Sequence, residues 1–248
     1  MWPGFFGLIL LAWLALFAMQ ATTGAHEFSA IYGTGFWIEL CRAGTGGTAF
    51  APVFVMWTLM SAAMMAPTFA PTLKTYHDLT FTNAAQNWGF WALLLGFLLI
   101  WAGFSALAAL LQLQLANAGF LSADGASVSL GLTSALLALA GVYQLSALKG
   151  ACLSKCRAPL TYFFGHWQAG PVGALRMGLH LGLICLGCCW ALMLLGFVGG
   201  TMNLMWMGVA TVLMTLEKLP GPGRWLTWPM AILLLAGAVA TGILAIVG

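Results

Sequence analysis

Sulfur-bearing side chains are the main chemically active residues of this chain, which has six cysteines and 13 methionines among 248 residues. Three of the cysteines, Cys185, Cys188 and Cys189, fall within one apolar run. In a helix, these three thiols share an arc of about 100°. Thiolates select soft cations, Cu(I) first, so this face predicts soft-metal or redox chemistry. The alternative is that small cysteine side chains let helices pack closely, as Gly, Ala and Ser do.

Methionines in two other apolar runs offer further soft ligands. Met56, Met60 and Met64 are four residues apart, and we call them the thioether stripe because a helix places them along one face. Met202 and Met205 share a face further along the chain. Methionine usually fills gaps in a hydrophobic core, so packing is the alternative for both groups.

A second pair of thiols lies in a basic stretch. Cys152 and Cys156 are four residues apart, and both face one way if a helix continues to Pro159. The neighbouring Lys155 and Arg157 favour thiolates, and a thiolate pair is a good ligand set for Cu(I) or Zn. The alternative is two reduced cysteines with no special role in a cytoplasmic loop.

Glu217 is the acidic candidate, because functional acids in membrane helices usually turn towards the bundle interior. The simpler interpretation pairs Glu217 with Lys218 at the membrane surface. That interpretation is weak, since adjacent residues on a helix do not face each other. His180, inside an apolar run, is a secondary candidate.

The composition requires that lipid be the main solvent of the chain. Charged residues make up 5% and hydrophobic residues 62%, whereas soluble domains carry about 25% charged residues. We predict an all-α transmembrane bundle, a single domain over residues 1–248, with about seven spans. The predicted spans cover approximately residues 4–22, 49–67, 88–116, 128–147, 171–196, 200–216 and 226–247.

The basic residues predict the orientation of this bundle. Seven of the eight Lys and Arg residues fall in the second, fourth and sixth loops, which the positive-inside rule assigns to the cytoplasm. The N-terminus is then inside and the C-terminus outside. Residues 23–48 become an interfacial, non-cytoplasmic segment, and residues 148–170 become a cytoplasmic loop that carries Cys152 and Cys156.

Several function classes find no support in the residues. The net charge of +3 is too small to argue for nucleic acid binding. No Walker loop is present, so the chain encodes no ATP-driven step of its own. A thiol–disulfide enzyme is less favoured than a binding protein, because no Cys-x-x-Cys pair opens a helix at either membrane surface and Cys185-x-x-Cys188 lies in the middle of a span.

The ordered set of motifs resembles a bacterial family described as predicted metal-binding integral membrane proteins. The resemblance covers about residues 49–218 and implies a multi-pass protein of the bacterial inner membrane. The motifs that carry it are Met56-Trp57-x-x-Met60-x-x-Ala63-Met64-Met65-x-Pro67, Tyr143-Gln144, Lys149 with Cys152 and Cys156, Cys185-x-Gly187-Cys188-Cys189-Trp190, Met202-x-x-x-Trp206-Met207 and Glu217-Lys218.

Three hypotheses follow from these observations. The first is a copper-binding protein of the lipid bilayer, monomeric or oligomeric, which transports the metal or delivers it to a membrane or periplasmic metalloprotein. Its sulfur ligands form either a relay across the bilayer or one closed site where the second, fifth and sixth predicted spans meet. The second is a membrane thiol–disulfide oxidoreductase that passes electrons between the two cysteine groups. The third is a structural subunit or assembly factor of a membrane complex.

Overall fold

The computed structural model describes residues 1–24, 49–80, 87–122, 125–201, 203–219 and 221–247. Apart from an isolated β-bridge between Leu121 and Ser127, the regular structure of these residues is helical, which confirms the all-α prediction. The helices are α1 (Trp2–Gly24), α2 (Phe50–Thr80), α3 (Asn87–Asn117), α4 (Leu130–Gln144), α5 (Ala147–Arg157), α6 (Pro159–His166), α7 (Gly170–Leu194), α8 (Gly196–Gly199), α9 (Leu204–Lys218) and α10 (Pro222–Val247).

Five of the described helices, α1, α2, α3, α7 and α10, are long and apolar enough to cross a membrane. Helices α4 and α5 meet at a bend of 62° and pass the same test together, as a broken span or a re-entrant loop. Helix α9 has only 15 residues, which is shorter than a usual span. The helices therefore support a membrane protein, while seven spans and the orientation stay predictions.

The chain between α4 and α7 is helical where the sequence predicted a loop. Ser146 caps α5, because its hydroxyl accepts a hydrogen bond from the Lys149 amide at 3.1 Å. Pro159 then begins α6, where a missing N–H costs nothing. These two short helices carry Cys152 and Cys156 and fold back against the bundle. Of the predicted interfacial segment 23–48, only the first two residues, at the end of α1, lie within the described part of the chain.

Helix α7 packs so closely on α3 that only glycine fits at the contact. A Cβ atom on Gly96 would clash with the Leu175 carbonyl oxygen, and one on Gly178 would clash with the Leu93 carbonyl oxygen. Small residues at membrane helix contacts allow this close approach of two backbones. The contact fixes α7, the helix that carries Cys185, Cys188 and Cys189, at the centre of the bundle.

Candidate metal centre

Three thiols converge on one face of α7. The Sγ atoms of Cys185, Cys188 and Cys189 all lie within 4.8 Å of one another, and all three residues are buried. The Sγ atoms of Cys188 and Cys189 are 3.2 Å apart. We call these residues the thiol cluster. Helical spacing alone brings them together, as the sequence predicted.

Helix α5 adds two half-buried thiols beside this cluster. Cys156 interacts with Cys188 through their side chains. Cys152 lies against Gly187, where an added Cβ would be 2.7 Å from the Cys152 Sγ atom. The Tyr143 hydroxyl donates a hydrogen bond to the Gly187 carbonyl oxygen and so helps to hold α4 and α5 against α7. All five cysteines in the described residues are free thiols.

A buried lysine completes the cluster. The Lys218 ammonium donates hydrogen bonds to the Cys185 Sγ atom at 3.1 Å and to the Thr68 hydroxyl at 2.7 Å. It also interacts electrostatically with Cys156, Cys188 and Cys189. Lys218 therefore joins α2, α7 and α9 at one point and places a positive charge beside the thiols.

Glu217 faces a different set of partners. One of its carboxylate oxygens accepts from the Lys149 ammonium at 2.8 Å, and the other accepts from the Gln144 amide at 2.5 Å and the Thr227 hydroxyl at 3.3 Å. Arg157 donates to the Glu217 backbone carbonyl oxygen at 2.8 and 3.0 Å. The carboxylate is thus occupied by polar partners and does not join the thiol cluster.

The thioether stripe runs towards the same place. Met56, Met60 and Met64 are all buried, and Thr68 occupies the next position of their four-residue spacing. Thr68 accepts a hydrogen bond from Lys218. The C-terminal end of the thioether stripe, at Met64, therefore lies next to the thiol cluster. The stripe therefore faces the interior, as expected of ligands and of packing residues alike.

The methionines of α9 lie in two different environments. Met205 is 80% exposed and does not lie with the thiols. Met202 falls outside the described residues. The buried thioethers of this helix belong to Met207 and Met214, and Met214 lies one turn before Lys218 on the same face.

Lys218 and Thr68 lie at the site but were not among the predicted ligands. Both were detectable from spacing, because Thr68 continues the thioether stripe and Lys218 lies four residues after Met214. The adjacency rule also predicts that Glu217 and Lys218 point apart, as they do. What spacing could not supply was the set of partners that each residue meets.

The dimensions of the thiol cluster suit a soft metal. Three thiolates around one ion are about 4 Å apart when each metal–sulfur bond is roughly 2.3 Å. The Sγ separations of the cluster are close to this value, with Cys188 and Cys189 3.2 Å apart and all three atoms within 4.8 Å of one another. Cu(I) bound by three thiolates carries two net negative charges, and the Lys218 ammonium offsets one of them. Burying a charge without such a partner is costly. The ligand set therefore fits Cu(I) as the metal that the chain would carry.

Comparison with known proteins agrees with this chemistry. A family model described as "PpoB2: Copper chaperone" matches residues 54–241, which include α3 to α9 and the thiol cluster. No curated protein and no solved structure matches the chain. The match confirms the resemblance to metal-binding membrane proteins. The chain belongs to the PpoB2 family of copper chaperones.

Proposed function

We propose that this membrane protein binds Cu(I) at the thiol cluster and delivers it to a metalloenzyme. The observation that carries the proposal is the convergence of three buried thiols from α7, with sulfur atoms within 4.8 Å of one another, around the Lys218 ammonium. The family match supports copper as the cargo. Thiolates with no oxygen or carboxylate ligand among them favour Cu(I) over harder cations.

The geometry supports one closed site over a relay of separate sites. Lys218 contacts Thr68 of α2 and Cys185 of α7, so the predicted second, fifth and sixth spans meet at a single point. Cys156 from α5 reaches Cys188 at the same point. A closed, buried site holds its metal until an acceptor draws it away, which is what delivery requires.

The thioether stripe supplies a route for release. Thioethers bind Cu(I) more weakly than thiolates, and a moving ion needs sites that bind without trapping it. Met64 lies one turn from Thr68 and therefore one turn from the cluster. We propose that copper leaves the thiols towards Met64, Met60 and Met56.

The test is anaerobic competition for Cu(I) between the purified protein in detergent and a chromophoric chelator. The natural chain is expected to hold copper with sulfur ligands, visible as a sulfur shell in X-ray absorption. Cys188→Ser combined with Cys189→Ser leaves one thiol of the cluster and should remove that copper. The small change in size keeps the helix packing, so the loss reports on ligation.

Met205→Leu is the matched control, because Met205 is 80% exposed and makes no contribution to the cluster. It should bind as the natural chain does. Sulfur-bound copper that persists in the double serine variant, or a natural chain that acquires no sulfur-bound copper, refutes the proposal.

A further inference from the structure

Two imidazole rings meet beside α5, outside the thiol cluster. His166 ends α6 and His180 lies within α7, and their ring centroids are 5.5 Å apart. We call them the histidine pair. Tyr162 contacts both rings, since it stacks on His166 with centroids 4.9 Å apart and places its hydroxyl 2.9 Å from the His180 Nδ1 atom.

Hydrogen bonds set which ring nitrogen of each histidine is available. The His166 Nδ1 atom lies 3.3 Å from the Tyr162 carbonyl oxygen, which can only accept, so Nδ1 carries the hydrogen. In the neutral ring, the lone pair is then on Nε2. Metal-binding histidines typically donate the other ring N–H to an acceptor of this kind, which fixes the ring orientation.

The Tyr162 hydroxyl can do the same for His180. The phenol oxygen lies 2.9 Å from Nδ1 and accepts from Nδ1–H in the His180 tautomer that leaves Nε2 free to bind a metal. His180 then also presents the lone pair of Nε2. One tyrosine thus orients both imidazoles, through its carbonyl and through its hydroxyl.

The histidine pair is accessible where the thiol cluster is not. His166 is exposed and His180 is half-buried, whereas Cys185, Cys188 and Cys189 are each at most 3% exposed. An accessible site gives the ion a first point of binding before it reaches a buried one. Imidazole nitrogens bind copper, and two of them make a weaker site than three thiolates.

The path from the pair to the cluster is short. His180 lies five residues before Cys185, which is about 8 Å along the axis of α7. His180 and Gly187 are seven residues apart and share a helix face, and Gly187 lies against Cys152. The half-buried Cys152 therefore lies on the His180 face of α7, at the level of the thiol cluster.

We infer that His166 and His180 form a second copper site, through which the ion enters the thiol cluster. The identity of the cargo rests on the proposed function, but binding by the imidazoles does not depend on the thiols. The two sites can therefore be separated by mutation.

Copper stoichiometry in the full-length protein tests this inference. The natural chain should hold two equivalents of Cu(I), and His166→Gln with His180→Gln should hold one, bound by sulfur. Cys188→Ser with Cys189→Ser should also hold one, with only nitrogen or oxygen neighbours in X-ray absorption. His77→Gln is the matched control, because His77 packs on Trp2 at the end of α2 and should leave both equivalents.

Tyr162→Phe separates orientation of the imidazole from packing. It keeps the ring stacked on His166 but removes the hydroxyl bonded to His180. We expect about 10- to 100-fold weaker binding at the histidine pair and an unchanged thiol site, as for the loss of other groups that orient metal ligands.

The possible negative results distinguish failure of the histidine site from failure of the thiol site. If the histidine variant keeps two equivalents, or loses both because the fold depends on the pair, the second site is refuted. If the natural chain binds copper only through nitrogen, the proposed function at the thiols fails while the histidine site stands.

Discussion

At the scale of single residues, Lys218 explains how several thiols share a buried site. A free thiolate in the bundle interior has a large desolvation cost. The ammonium lies 3.1 Å from the Cys185 Sγ atom and offsets that cost when copper binds and protons leave. Thr68 holds the same ammonium from the opposite helix, so the charge stays aimed at the cluster.

We therefore predict that Lys218→Met weakens Cu(I) binding at the thiol cluster by about 10- to 100-fold, or roughly 1.4 to 2.7 kcal/mol. Methionine is similar in length but has no charge, so the variant removes the electrostatic partner and keeps most of the packing. Chelator competition measures the change. Lys218→Arg should bind more tightly than Lys218→Met because it retains the charge.

The control for Lys218→Met is Lys74→Met, which removes a lysine from an exposed position on α2. It should leave the affinity unchanged. Equal copper affinity in Lys218→Met and in the natural chain would mean that the cluster binds metal without a compensating charge, contrary to the site described above.

At the scale of helices, a buried ion pair fixes α5 in place. Lys149, at the first turn of α5, and Glu217, at the last turn of α9, are each 1% exposed and are joined at 2.8 Å. Gln144, at the end of α4, contacts both members of the pair. The pair therefore holds the 62° bend that returns Cys152 and Cys156 to α7.

Glu217→Gln should release α5, because it leaves the Lys149 ammonium buried without a counter-charge. Removing one member of a buried ion pair costs about 3–5 kcal/mol. We expect a lower thermal unfolding temperature and faster maleimide labelling of Cys152 and Cys156. Adding Lys149→Met should recover much of the stability, since the unpaired charge is then gone.

The Glu217→Gln variant also distinguishes a metal-ligand role of Glu217 from its role as the ion-pair partner of Lys149. The sequence predicted a metal ligand, and a ligand role requires copper to be lost while stability and labelling stay as in the natural chain. The structure instead gives Glu217 a full set of polar partners.

The positions of the long helices were predictable from apolar runs, but the residues at which some helices end were not. The run at 88–116 became Asn87–Asn117, and the run at 4–22 became Trp2–Gly24. The second span was predicted to stop at Pro67, but α2 continues to Thr80 with Pro67 and Pro71 inside it. In an apolar environment the remaining backbone hydrogen bonds keep a helix together past a proline.

The site was predictable where it depends on one helix and not where it depends on several. The thiol cluster follows from the spacing of α7 alone. The contact between Cys156 and Cys188 depends on the bend between α4 and α5, and no local pattern determines that bend. The partners of Lys218 and Glu217 likewise come from helices distant in the sequence.

At the scale of the whole molecule, the candidate copper ligands differ in how deeply they are buried. The thiol cluster and the thioether stripe are buried, Cys152 and Cys156 are half-buried, and His166 is exposed. A protein with one strong interior site and a weaker accessible one takes up its ion without opening a continuous pore. That arrangement suits delivery to an acceptor more than bulk transport.

Delivery and transport differ in what happens to the copper of the cell. If the chain delivers copper, replacing it with the Cys188→Ser, Cys189→Ser variant should lower the copper bound to membrane and periplasmic proteins at low external copper. Total cell copper should stay constant, because only its distribution changes. Added copper should restore the protein-bound fraction by mass action. Mass spectrometry of copper in whole cells and in separated fractions measures both quantities. A matching change in total cell copper would instead identify a transporter, because delivery moves an ion between proteins and leaves the cell's content as it was.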